Sequence, residues 1–238
     1  MTPLTALWTK IYRKGVLGNL RWFYRHAIRQ QWDLVWLQHP LHNLPPERTV
    51  SSGRTERIRA ELLPAFERYF PQHRHIVSDF VQQGLTGLVH LDHDNHAIAF
   101  VWLAAGDYYD QHVYHCWLRV PPGSAYLVYG EIAPHQRRSG KAILLNQAFQ
   151  LCKQLGYTEL RAVVEAGNRP SLSLCMALGF NEAGEILQVT RWFRRLYRTS
   201  SKTYTPPRFA HVVRHNHRRL QHASPPAQSH PQPQTDLL

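Results

Sequence analysis

The stretch YLVYGEIAPHQRRSGKAILLNQAF, residues 126–149, is the tightest constraint on what this chain folds into. A β-rich run reaches Ile132, breaks at Pro134, and crosses a short loop holding Arg137, Arg138, Gly140 and Lys141. It then resumes with helical spacing. The start of a helix carries unpaired N–H groups and partial positive charge. Three cations and a glycine added there suit an anion, because glycine lets the main chain approach a ligand closely. The spacing is neither that of a P-loop nor that of a dinucleotide fingerprint. Taken alone, Arg137-x-x-Gly140-x-Ala142 also describes an ordinary basic strand-to-helix turn.

The flanking sequence predicts a mixed α+β domain with one sheet. WDLVWL (32–37) reads as a first strand. TERIRAELLPAFERYF (55–70) reads as a helix with Thr55 as a candidate cap, and HRHIVSDFVQQG as a second helical piece ending at Gly84. TGLVHLDHDNHAIAFVWLAA reads as a hairpin, and a run near 113–119 leads into the strand at 125–133. Residues 141–156 read as a helix closed by Gly156, followed by the strand ELRAVVEA. A helix with an Asn168 cap and Pro170 in its first turn ends at Gly179, and GEILQVTRWF is the last strand expected.

Charge divides the 238 residues into three parts. Residues 1–31 hold six Lys or Arg and no acid, and 191–238 hold nine with one acid, Asp236. The remaining 13 basic and 15 acidic residues leave 33–190 near neutral, so the formal net charge of +12 belongs to the flanks. Residues 1–31 place Leu4, Leu7, Trp8, Ile11, Leu20, Phe23 and Ile28 on a helical stripe with most cations off it. Such an arm docks on its own domain or a partner, or lies on an anionic membrane surface. Residues 198–238, rich in Pro, His and Gln, are expected to be a disordered basic tail, and 32–197 to be the folded domain. Three widely spaced cysteines form no zinc pattern or disulfide framework, and no signal segment is evident. The expected setting is a reducing cytoplasm, with the arm at the inner face of the membrane.

About 28 residues beyond Gly140 comes Asn168-x-x-Ser171, then Leu178-Gly179-Phe180. Together with EIAP before the loop, this pattern resembles the GCN5-related N-acetyltransferase (GNAT) superfamily. The specific motifs lie within 126–180, and the order of elements agrees over roughly 55–190. The resemblance implies a GNAT-like fold that binds acetyl-CoA as co-substrate between two splayed parallel strands, 126–133 and 159–166. It implies that main chain at Ile132 and Ala133 bonds the pantetheine arm. By the same resemblance, the amides of Arg137, Arg138, Ser139, Gly140, Lys141 and Ala142 are expected to hold the pyrophosphate, and Asn168 and Ser171 to line the far side. The expected reaction is acetyl transfer to an amine acceptor, such as an amino sugar or an envelope-related small molecule. Longer acyl groups are compatible with the motif.

The catalytic residues are less directly written. The family often has a tyrosine four residues before the Gly-Phe pair as general acid. Here that position is Cys175, a candidate acid or a packing residue. Glu131, on the first of the splayed strands, is the candidate base, with structural pairing as its alternative. Tyr126 and Tyr129 are candidates to line the cleft. His90, His93 and His96 invite a metal, but an Asp-Asn turn explains HLDHDNH more simply, and no metal is expected. His73-x-His75 is treated likewise. Two other classes stay open: a peripheral membrane or nucleic-acid-binding protein using the domain as scaffold, nucleic acid being the less favoured partner, and an inactive CoA-binding regulator. Homodimerisation is left open.

Overall fold

The computed structural model describes residues 28–42, 44, 53–136 and 143–209. In chain order these form β1 (Arg29–Pro40), β2 (Arg54–Arg57), α1 (Arg74–Gln82), β3 (Thr86–Leu91) and β4 (Ala97–Ala104). Next come β5 (Tyr108–Asp110), β6 (Cys116–Leu118), β7 (Ser124–Ile132), α2 (Ile143–Gln154) and β8 (Glu159–Glu165). The last are α3 (Arg169–Ala177), β9 (Asn181–Trp192) and β10 (Leu196–Thr203). Eight strands make one sheet in the order β10-β9-β1-β8-β7-β4-β3-β2, and β5 and β6 form a separate hairpin. Every pairing in the large sheet is antiparallel except that of β7 with β8.

Burial explains the two most apolar strands. Leu34–Leu37 of β1 and all of β4 are buried. Their side chains alternate into cores on opposite faces of the sheet, so a continuous apolar run is what a central strand requires. On one face Val35, Leu37, Val101 and Ala162 meet Phe149 and Cys152 of α2 and Leu172 and Cys175 of α3. On the other, Leu34, Trp36, Phe100 and Trp102 meet Phe66, Phe70, Val77 and Phe80. The N-terminal strand β1 lies between β8 and β9, and so joins the two C-terminal strands to the rest of the sheet.

Four readings of the sequence are corrected. Residues 55–70 do not form a helix. Arg54–Arg57 pair with β3, and Ala60–Phe66 form a 3-10 segment that contains Pro64. Proline lacks the N–H that an α-helical turn needs. Thr55 is no cap, because its Oγ1 lies 2.9 Å from His90 Nδ1 across the strands. Residues 29–31 belong to β1 and not to a helical arm; the rest of the arm reading, 1–27, lies outside the described residues. GEILQVTRWF is not the last strand. It is followed by β10, so the tail boundary drawn at 198 falls inside a paired strand. At the tip of the β3–β4 hairpin, Asp92 Oδ1 accepts N–H bonds from Asp94 (3.0 Å) and His96 (2.8 Å), which accounts for the Asp-rich turn. Among the described residues no helix is long and apolar enough to cross a membrane.

His39, near the end of β1, is buried between the ring of Phe149, 4.4 Å away and stacked, and that of Phe180. Gly179 has φ +94°, and a Cβ there would come within 2.9 Å of His39 Nε2. Burial lowers the His39 pKa, against the opposing backbone hydrogen bond at Leu178. The folded protein therefore holds His39 neutral, while the unfolded chain takes up a proton below about pH 6.5. Stability from this site is present above that pH and is lost as pH falls. Thermal melts between neutral pH and pH 5 are expected to show a smaller loss in His39→Phe than in wild type.

Candidate active site at the splayed strands

β7 and β8 pair only from Ser124↔Glu159 to Leu127↔Ala162. Both strands continue, β7 to Ile132 and β8 to Glu165, without further pairing to one another. The divergence coincides with a bulge. Trp102 pairs with Tyr129 and Leu103 with Leu127, which leaves Val128 as an extra residue on β7. A bulge bends a strand and increases its twist, so β7 turns away from β8 where the bulge sits. The sheet is thus wedged open between the strand leading to α2 and the strand leading to α3.

The main chain of the wedge follows from the ladder with β4. Ala133 N–H donates to the Ile98 carbonyl at 2.9 Å. Antiparallel pairs alternate between bonded and unbonded, so Ile132 and Gly130 direct their main-chain groups away from β4, toward the side from which β8 has departed. Of the two residues read as holding a pantetheine arm, Ile132 has the matching direction. The Ala133 donor is already used, and Gly130 takes its place. Across the wedge, Asn168 caps α3, with its Oδ1 accepting from Ser171 N–H at 3.2 Å. Asn168 and Ser171 therefore stand at the mouth of the wedge, joined to each other. Arg137, Arg138, Ser139, Gly140, Lys141 and Ala142 lie outside the described residues.

Glu131 does not stand alone. Its Oε2 is 2.7 Å from His73 Nε2 and accepts a hydrogen bond from the Tyr129 hydroxyl at 3.3 Å. Tyr129 OH is also 3.4 Å from His73 Nδ1. Tyr129 and Glu131 are two apart on β7, hence on one face, and the turn Pro71–His73 ahead of α1 brings the imidazole over them. The rings of Phe70 and Phe100 lie beside His73. Burial, then the charge of Glu131, pushes the Tyr129 phenol up to about 12, so it stays protonated as a donor. Carboxylate, imidazole and phenol thus meet half-buried beside the open wedge, an arrangement able to accept and pass a proton.

His73 was missed by sequence reasoning because residues far apart in the chain form the cluster, and His-x-His invited only a metal reading. Two other candidates lie in the core. Tyr126 does not line the cleft, as it is buried against the rings of Trp36 and Tyr108. Cys175 is 7% exposed within the core of the helix-covered face, and burial pushes its thiol up to about 12. Such a thiol is a poor proton donor to a thiolate whose own thiol is ordinarily near 8.5. Cys175→Ala is expected to destabilise the fold by about 1 kcal/mol through lost packing, with turnover unchanged. Chemical denaturation and steady-state rates on one preparation check both.

No protein-family model and no curated protein matches the chain. Among solved structures, a Drosophila protein of unstated activity superposes with TM-score 0.52 at 14% identity, over 78% of this chain and 58% of that one. A GCN5-related N-acetyltransferase from Sphaerobacter thermophilus gives TM-score 0.48 at 16% identity, over 75% and 57%. An aminoglycoside N-acetyltransferase solved with CoA gives 0.43 at 18%, over 54% and 92%. The chain spans under two thirds of the length of the first two. One mixed sheet, opened between its single parallel pair and continued through helices on either side of the opening, is the architecture that the resemblance to the GCN5-related N-acetyltransferases implies.

Proposed function

We propose that the chain is an acetyl-CoA-dependent N-acyltransferase acting on a small-molecule amine. The observation that carries this reading is the parting of β7 from β8 directly after Leu127↔Ala162, next to a loop written Arg137-x-x-Gly140-x-Ala142. Main chain at Gly130 and Ile132 holds the amide-bearing arm of CoA as an added strand, and the amides of 137–142 hold the pyrophosphate. The Glu131–His73 pair accepts a proton from the acceptor ammonium. The freed amine attacks the thioester carbonyl, and a C–N bond forms as the C–S bond breaks. Of the two protons shed by nitrogen, one leaves with CoA as thiol and one reaches solvent. N–H groups at the bulge around Val128 stabilise the oxyanion. Positioning supplies much of the rate, and no protein nucleophile takes part.

The acceptor is proposed to be an amino sugar or an envelope-related amine, met where the basic segment 1–31 brings the enzyme to the inner face of an anionic membrane. Burial of Cys175 favours one second reading, a CoA-binding regulator without turnover, since it sets the thiol expected as acid on α3 within the core. Release of free thiol from acetyl-CoA, measured across a panel of amines, separates the two. Acceptor-dependent thiol release supports the enzyme, and tight CoA binding without release supports the regulator.

A further inference from the structure

The turn from β9 into β10 exposes apolar and cationic side chains together. Phe193 and Leu196, at the apex, are 62% and 65% exposed. Phe193 and Arg194 hold positive φ angles of 49° and 60°, a conformation that bulky residues seldom adopt. Arg194, Arg195 and Arg198 are exposed around them, and among the described residues none of the three is in an ion pair. Arg29 lies over the Trp192 ring and Arg191 over that of Trp32. No Asp or Glu occurs in 186–235 or before Asp33. Phe193 N–H donates to the Ile28 carbonyl at 2.8 Å, so the chain enters β1 at this same end. Residues 1–28, with Lys10, Arg13, Lys14, Arg21 and Arg25 and no acid, are joined to it there.

We infer that the β9–β10 hairpin end is a docking surface for an anionic lipid bilayer, with Phe193 and Leu196 entering the interface and Arg194, Arg195 and Arg198 meeting lipid headgroups. Charge alone suits a nucleic acid equally well. The apex apolar pair decides for lipid: Leu196 has no aromatic face on which a base stacks, and against a phosphodiester rod it stays in water. At a bilayer both side chains leave water while the guanidinium groups remain at headgroup level. The residues that precede β1 in the chain carry charge of the same sign. None of these residues belongs to the set assigned to the wedge, and vesicle binding is read without acyl transfer.

The test is sedimentation of the full chain with phosphatidylcholine vesicles, with and without phosphatidylglycerol, over a salt series. Wild type is expected on the anionic vesicles only, less so as salt rises. Each cation at such a surface contributes about 1 kcal/mol, so replacing Arg194, Arg195 and Arg198 together by Gln is expected to weaken partitioning about 100-fold. Phe193→Asn with Leu196→Ser is expected to cost at least about 10-fold, since both apolar side chains lose their burial. Asparagine tolerates positive φ, so the second variant keeps the turn, and thermal melts verify both folds. CoA affinity is expected to be unchanged in each. Unaltered partitioning of either variant overturns the inference. So does equal binding to neutral vesicles, or loss of RNA or duplex DNA binding in the variants while vesicle binding persists.

Discussion

Gly140→Asp is expected to weaken acetyl-CoA binding by on the order of 100-fold or more, measured by calorimetry. The proposed pyrophosphate site is built from main-chain N–H groups at a helix start, where charge of the wrong sign is most harmful. An aspartate puts a carboxylate beside two phosphates and a Cβ where the main chain must come close. At about 4 Å even one like-charge pair costs about 4 kcal/mol at an effective dielectric of about 20. Gly140→Ala separates the two effects. It adds the Cβ without the charge, and is expected to lose less. Unchanged affinity in the aspartate variant would remove the loop from the site and with it the CoA reading.

The second large effect is expected at the cluster on β7. Glu131→Gln and His73→Ala should each lower kcat by about 10²- to 10³-fold, within the range for loss of a general base, with acetyl-CoA affinity nearly unchanged. The split matters, because a merely structural ion pair would lower stability or affinity without a selective fall in kcat. The double variant should be no slower than the worse single one, as groups acting as a unit are not additive. Tyr129→Phe removes a donor to Glu131 but leaves the carboxylate–imidazole contact of 2.7 Å, so a smaller loss is expected. Rates of the single variants equal to wild type would return Glu131 and His73 to a structural role.

Much of the fold was legible because local physics and tertiary need agree there. Asn168 caps a helix with Pro170 in its first turn, and the structure uses both residues so. WDLVWL reads as a strand and lies within one, with LVWL buried. The misreadings have equally local causes. TERIRAELLPAF carries helix-favouring residues, but the pairing of Thr55 with His90 and the presence of Pro64 override propensity. β10 is polar after Leu196 and Tyr197, so no alternation announces it, and it pairs with β9 only.

At the candidate site the division is sharper. The chain by itself determined the strand that ends before Pro134, the helix that runs to Gln154 and the capped helix at 169–177, since turn chemistry, capping and apolar period act over a few residues. It also set the charge division between flanks and middle. Only the tertiary structure decided that β1 enters between β8 and β9, that β7 leaves β8 after one bulge, and that His73 meets Glu131. It also buried Cys175, which sequence left between acid and core. The physical reason is range. A cap or a turn is formed by neighbours in the chain. Strand order, burial and the meeting of titratable side chains depend on which distant surfaces pack together, and a single sequence does not write those contacts down.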